Sequence, residues 1–438
     1  MEDTRLGAIL LETRLVPEKR LRQCLEIQAL TGGSRPLGQI LVEQGVITPR
    51  ALADLLKIQE ARRRAQDPAF TPAPTSTSHG PNLLTAAIEL GANDLMLSEG
   101  RAPAIRIGGA MRRIAEDPMA GPELWEFVRT QLGHDALERI AQRGALTRAL
   151  QKTTPARGRI TAFRHLDGLG VTIRIHPREL RSPAACGIDP ALVEVVRGGR
   201  GLVIIAGERG CGVSETFATM LNEASAAPGR SVHVLDRCFE YPTARVGSMV
   251  TRRAIGTHTR RLDDALRAAL REEPDAMFVG EVDAPSVQLV LHAAEHAGLV
   301  VACVRARSAS EALLRILSLC PPHEQERARA VLAATCVAIL GVQVVPLADA
   351  SGLTVATELL RFDDTVRDIV RMGAVRRVSS LLRVDDAPCG HSMDVALVRL
   401  VAEGRTRVED AFPLAADKSW FLDAVSESVS QQPVGSRG

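Results

Sequence analysis

The chain has 438 residues, 45% of them hydrophobic, and its 54 Lys+Arg nearly balance its 52 Asp+Glu, for a formal net charge of +2. A length of this kind suggests about three domains at ~150 residues each, and so even a charge balance sets up no global field for nucleic acid or anionic lipid. No apolar run reaches the ~18 residues a membrane helix needs, and the opening residues are acidic and unlike a secretory signal, so neither nucleic-acid binding nor direct membrane insertion is expected.

Residues 1–65 read as a helical domain built on an internal repeat. Leu6-Gly7, Leu10, Leu21, Leu25 and Gln28 recur as Leu37-Gly38, Leu41, Leu52, Leu56 and Gln59, at a constant offset of 31 (38 − 7 and 59 − 28). Each copy reads as a helix pair with Pro17 or Pro49 near the second helix start, where proline is tolerated, and two copies predict a four-helix unit. Residues 66–82, rich in Pro, Thr, Ser and Gly, read as a flexible linker that lets this domain move independently. Residues 83–185 alternate apolar and polar positions between Gly-containing turns, with a helical interruption near 122–143, and predict an α+β domain with an antiparallel sheet. Across 186–362, strands at 202–206, 231–235, 276–280 and 299–304 alternate with helical segments, so a mostly parallel sheet with crossover helices is expected. Residues 363–425 read as helical and 426–438 as a disordered tail.

The chemistry concentrates at 201–216, GLVIIAGERGCGVSET. A buried strand runs into a glycine-rich turn and then a helix start, the layout of a phosphate-binding P-loop with pattern G-x-x-x-x-G-K-[ST]. Gly207 and Gly212 have the right separation, with Glu208, Arg209, Gly210 and Cys211 between them, and Ser214 stands where a Mg-binding hydroxyl belongs. The lysine position is Val213. Backbone amides of such a loop attract phosphate oxygens by themselves, but valine supplies neither donor nor charge to the transferred phosphoryl group. Glu215 puts a carboxylate in the first turn of the helix ahead of Thr216, where it competes with phosphate for the helix dipole. The eight cysteines lack CxxC or metal spacing and read as reduced, buried thiols of a cytosolic protein. His233, His258, His292 and His296 form no metal-spaced set.

Several segments in order carry a resemblance: GANDLMLSEGRAPAIRIGGAMRRI, RGRITAFRHLDGLGVTIRI, GLVIIAGERGCGVSET, DDALRAALREEPDAMFVGE, HAAEHAGLVVACV and MDVALVRLVAEG. Across about 83–405 the chain resembles the PilT-like type IV pilus retraction ATPases of the bacterial type II–IV secretion ATPase superfamily. The resemblance implies an α/β fold, with a PAS-like α+β domain preceding a RecA-like P-loop core and a small all-α N-terminal domain. It also implies a cytoplasmic hexameric ring, peripheral at the inner membrane through a pilus platform protein, with ATP and Mg as ligands. By resemblance the catalytic residues are Asp236, Glu240 and Glu281, the Mg ligands Ser214 and Glu281, and Arg159 and Arg174 reach toward the nucleotide from the first domain.

The chemical positions depart from the family in a pattern. Val213 replaces the lysine, and the acidic box Glu-Asp-Pro-x-Glu reads Asp236-Arg237-Cys238-Phe239-Glu240. Gly298 and Arg305 replace the two histidines of the histidine box. Arg209, Arg237 and Arg305 are candidate substitute cations. Three readings follow: a PilT-like paralogue with a degenerate site, in a ring with itself or with an active paralogue; an ATP-hydrolysing retraction motor with a non-standard loop; and a scaffold responsive to cyclic di-GMP. The last rests on the N-terminal repeat, which resembles the MshE/GspE-type domain of assembly ATPases and would use Arg5, Leu6, Gly7, Gln28, Leu37, Gly38 and Gln59. Its second copy departs from that pattern, with Pro36 before Leu37-Gly38.

Overall fold

A computed structural model describes residues 10, 16, 19–21, 23–24, 36–53, 55–56, 80–107, 110–150, 157–176, 179–241, 247–349, 352–383 and 387–430. The chain divides into two compact units, one of residues 69–343 and 359–379, the other of 1–68, 344–358 and 380–438.

The larger unit opens with helix α1 (Gly80–Glu89), followed by strands β1 (Asp94–Ser98), β2 (Arg101–Ile107) and β3 (Ala110–Arg113). Helices α2 (Gly121–Leu132) and α3 (Ala136–Arg143) interrupt the strands before β4 (Ala145–Ala149), β5 (Arg157–His165) and β6 (Gly168–His176). These six strands form one antiparallel sheet in the order β3-β2-β1-β6-β5-β4. The alternation read in the sequence buries one face, where Leu95, Leu97, Ile105, Ile160, Ala162, Val171 and Ile173 meet Leu124, Phe127 and Val128 of α2. On the opposite face the register sets Arg106, Asp94, Arg174 and Arg159 directly across from one another on β2, β1, β6 and β5. A row of three arginines and one aspartate thus lies on the face that the apolar residues leave.

After α4 (Pro190–Gly198) the pattern changes to strand and helix in turn. The elements are β7 (Gly201–Ala206), α5 (Val213–Ala226), β8 (Ser231–Asp236), β9 (Met249–Ala254), α6 (Leu262–Leu270), β10 (Ala276–Glu281), α7 (Val287–His296), β11 (Leu299–Val304), α8 (Ala309–Leu319) and α9 (Gln325–Thr335). With β12 (Cys336–Pro346) they build a parallel sheet in the order β9-β8-β10-β11-β7-β12. Its central strands are apolar without alternation, and Leu202 to Ala206 and Leu299 to Val304 are buried throughout, as strands covered on both faces must be. Parallel pairing brings the carboxyl ends of β7, β8, β10 and β11 to one edge, the edge at which open α/β sheets bind ligands.

The described residues of the smaller unit share an apolar core. Leu10, Val16, Leu21, Ile40, Leu41 and Leu55 share it with Met393, Leu397, Leu400, Phe412, Phe421 and Val425. The expectation of an N-terminal domain moving independently of the rest is corrected here: its helices bury their apolar positions against the helices Met393–Ala402 and Lys418–Ser430. The tail is corrected as well, since the last helix continues to Ser430 rather than ending at 425. Phe421, Leu422 and Val425 bury on one face of that helix and carry it through a polar stretch. Residues 57–79, with most of the expected linker, and 431–438 lie outside the described residues.

Candidate nucleotide-binding site

Ser308 and Asp363 cap their helices with side chains that accept from backbone N–H groups three residues on. Helix α5 starts differently. Its N-cap is Gly212 at φ 94°, with no side-chain cap, so the first-turn N–H groups remain open to an anion. A φ of that sign needs glycine, and the turn it makes sets α5 directly behind the buried strand β7. The strand–turn–helix expected from 201–216 is present, at the ligand-binding edge of the sheet.

Inside the loop, Val213 packs against Gly207. A Cβ placed on Gly207 would lie 2.4 Å from Val213 Cγ2, so the valine methyl rests on the bare α-carbon of Gly207. Cys211 is buried and its Sγ donates to Gln343 Oε1 at 3.0 Å. Burial pushes that thiol above its ordinary pKa. Ser214 is exposed at the second residue of α5, whereas Glu215 and Thr216 are buried. The Glu215 carboxylate pairs with Arg181, Nε to Oε1 at 3.3 Å. A carboxylate and its own guanidinium therefore occupy the first turn of α5.

Of the arginines expected to reach a nucleotide, Arg174 approaches the loop, and both are already paired. Arg174 Nη1 lies 3.5 Å from where a Cβ on Gly210 would stand, while its Nε donates to Asp94 Oδ1 at 2.8 Å and its Nη2 to Oδ2 at 3.3 Å. Arg159 Nη1 is 3.0 Å from Glu240 Oε1. His176 Nε2 lies 2.9 Å from the other oxygen of Glu240, and His176 Nδ1 is 2.9 Å from the Tyr241 hydroxyl. Burial works to raise the Glu240 pKa, but the hydrogen bond and charge of His176 and the guanidiniums of Arg159 and Arg174 hold it below the ordinary carboxylate value. Burial drives the Tyr241 phenol well above its usual range.

At the ends of β8 and β10 stand the other two expected acids. Asp236 Oδ1 accepts from the Arg237 N–H at 2.6 Å. Burial, opposed by that hydrogen bond and reinforced by the Glu240 charge, pushes Asp236 up to about 6. Glu281 is exposed and held by Arg305, Nη2 to Oε2 at 2.6 Å. Arg305 is therefore engaged with the position expected to hold Mg, and Glu208 is engaged by Arg307 at 2.9 Å. Arg237 is exposed, and Arg209, also exposed, forms no ion pair among the described residues.

The backbone of the loop thus suits phosphate oxygens. Val213 stands at the position of the loop cation, Arg159 and Arg174 on the facing sheet are each tied to a carboxylate, and Glu281 is tied to an arginine. Asp94, His176, Arg181, Tyr241 and Gln343 went unnoticed in the sequence, because each meets its partner through the fold and none belongs to a local motif.

The N-terminal candidates fare differently. Arg5, Leu6, Gly7, Gln28 and Gln59 lie outside the described residues. Leu37 and Gly38 open the helix Leu37–Glu43, and a Cβ on Gly38 would meet Leu52 Cδ1 at 2.5 Å. Leu52 therefore occupies the open side of Gly38.

A twitching motility protein of Neisseria gonorrhoeae is 28% identical over 311 residues, spanning 70% of this chain and 83% of the relative. The type IV pilus retraction ATPase PilT of Pseudomonas aeruginosa is 26% identical over 330 residues, spanning 75% and 96%. Among solved structures, the pilus retraction motor PilT with bound ADP matches at a TM-score of 0.67 and 27% identity, covering 77% of this chain and 97% of that one. The Legionella pneumophila ATPase DotB, at 20% identity, shares the fold with a TM-score of 0.66 over 78% and 97%. The core around β7 is thus the RecA-like core of these ATPases. The family described as Type II/IV secretion system protein matches residues 81–387, and the chain belongs to that family.

Proposed function

We propose that this chain is a PilT-like component of type IV pilus or secretion machinery whose nucleotide site no longer hydrolyses ATP at a useful rate. It would sit in a hexameric ring of its own copies or in a mixed ring with an active paralogue, docked on a pilus platform protein at the cytoplasmic side of the inner membrane. Among the described residues no helix is long and apolar enough to cross a membrane, which fits attachment through a partner. The observation that carries the proposal is Val213 resting on Gly207 at the lysine position. Removing one transition-state donor costs about 10²–10³ in rate, and here a full cation is replaced by a methyl group.

The paired arginines support the same reading. To serve a nucleotide, Arg159 and Arg174 would first have to leave Glu240 and Asp94. One observation favours the second reading, an active motor with a non-standard loop. Asp236, at the base position, has a pKa of about 6, close to what a general base at neutral pH requires. A cyclic di-GMP-reading role finds no support at Gly38, which Leu52 covers, and saturable binding of a fluorescent cyclic di-GMP to the full chain would revive it. ATP turnover by the purified chain beside Val213→Lys separates the first two readings. The degenerate reading expects no turnover above background in the natural chain, and it fails if that chain turns over at about 1 s⁻¹ or faster without any gain from lysine.

A further inference from the structure

Away from the loop, the last two turns of α7 bring together three side chains that the sequence reading kept apart. His292, Glu295 and His296 each offer one ligand atom, and these atoms lie within 4.8 Å of one another. We propose that they bind a borderline divalent cation of the Zn²⁺, Co²⁺ or Ni²⁺ class. The site is independent of the nucleotide site and of any ATPase reading.

Helix geometry accounts for the arrangement. Residues four apart share a face of a helix, and the residue three along lies beside them, so H-x-x-E-H presents two imidazoles and a carboxylate as one cluster. The two rings stand side by side, with centroids 4.2 Å apart and planes inclined by 39°. His296 Nδ1 lies 3.0 Å from the His292 carbonyl oxygen. A carbonyl can only accept, so Nδ1 carries the proton and Nε2 presents a lone pair. An outer hydrogen bond to a carbonyl fixes the tautomer of metal-bound histidines in the same way.

Charge and access fit as well. His296 is the last residue of α7, where the helix dipole favours a cation. All three residues are exposed, so their side chains can close to the roughly 3.3 Å ligand spacing of a tetrahedral centre with Zn–N near 2.0–2.1 Å. Water completes the coordination. Among the described residues Glu295 pairs with Arg327, Nη2 to Oε2 at 3.5 Å in an exposed pair, and such a pair contributes little. Gln288 and Glu324 line the shallow depression beside the cluster and offer polar groups to the outer water. Two imidazole nitrogens and one carboxylate oxygen suit zinc-class ions, whereas Mg²⁺ and Ca²⁺ prefer all-oxygen sets.

The test uses the full chain, free of any affinity tag and stripped with EDTA, titrated with ZnCl₂ by calorimetry and with CoCl₂ by visible absorption. One equivalent should bind at micromolar strength (on the order of 10⁻⁶ M) and resist displacement by millimolar Mg²⁺, with a Co²⁺ spectrum free of thiolate charge transfer. His292→Ala and His296→Ala should each weaken binding at least about tenfold, a loss that even outer partners of a metal site produce. Arg327→Ala should strengthen it about two- to fivefold by removing a competitor for Glu295. The residues are exposed, so circular dichroism should be unchanged in all three variants. The proposal is overturned if ZnCl₂ gives no saturable signal, if neither histidine variant alters it, or if the Co²⁺ spectrum reports cysteine ligation.

Discussion

Replacing Asp236 by Asn probes the most perturbed carboxyl at the sheet edge. The asparagine amide keeps an oxygen to accept from the Arg237 N–H, now made to Asp236 Oδ1 at 2.6 Å, and it removes the charge that burial opposes. Its surroundings raise the Asp236 pKa from an ordinary 3.8 to about 6. The folded protein therefore holds this proton more tightly than the unfolded chain, and the group's penalty is absent below about pH 4 and complete above about pH 6. A gap of about two units is worth at most about 3 kcal/mol. At roughly 2 °C per kcal/mol for a unit of this size, Asp236→Asn should raise the thermal midpoint of the larger unit by up to about 6 °C at pH 7.5. The gain should disappear at pH 4. Midpoints from scanning calorimetry at both pH values test this. A variant less stable than the natural chain at pH 7.5, or a gain that persists unchanged at pH 4, would refute the account of Asp236 as a carboxyl whose charged form its surroundings disfavour.

Other expectations follow from the same geometry. Glu240→Gln should have the opposite pH dependence, because its pKa is held below the ordinary value: it costs about 1–3 kcal/mol at pH 7, and the cost fades as acid protonates the natural glutamate. Urea unfolding across pH 3–7 reads this out, and a flat difference would contradict it. Gly38→Leu, which drives a side chain into Leu52, should destabilise the smaller unit by about 1–3 kcal/mol, seen as faster limited proteolysis; unchanged cleavage would show that Leu52 does not occupy that space. Seven of the eight cysteines are buried, and the eighth, Cys238, has a pKa of about 12 through burial. Ellman's reagent at pH 7.5 should therefore react slowly with the native chain and reach all eight thiols only after denaturation, and a fast-reacting thiol would refute this reading.

Much of the site could be read from local order. Strand β7, the turn at Gly210 and Gly212, and the start of α5 are consecutive in the chain, so spacing alone located them, Val213 included. The partners of the charged groups could not be read that way. Asp94 and Arg174 meet because β1 pairs with β6, and Glu240 meets Arg159 and His176 only once the antiparallel sheet lies against the parallel one within the larger unit. A pairing between such distant residues leaves no periodic trace in one sequence. The same holds for the smaller unit, where Leu21 and Leu41 share a core with Leu397 and Phe421. The polar composition near 426–430 concealed a last helical turn that Phe421 and Val425 anchor from within. His292, Glu295 and His296 were not read as a set from the sequence, because their H-x-x-E-H spacing becomes a cluster only when that stretch is one continuous helix.

On the proposed function, the aliphatic side chain of Val213 leaves the loop without the cation that ATP hydrolysis needs. Steady-state phosphate release by the purified natural chain and by Val213→Lys, at saturating Mg–ATP, tests it most directly. The account predicts background turnover for the natural chain and a measurable rate for the lysine variant. Turnover of about 1 s⁻¹ or more by the natural chain, unchanged by lysine, would contradict it.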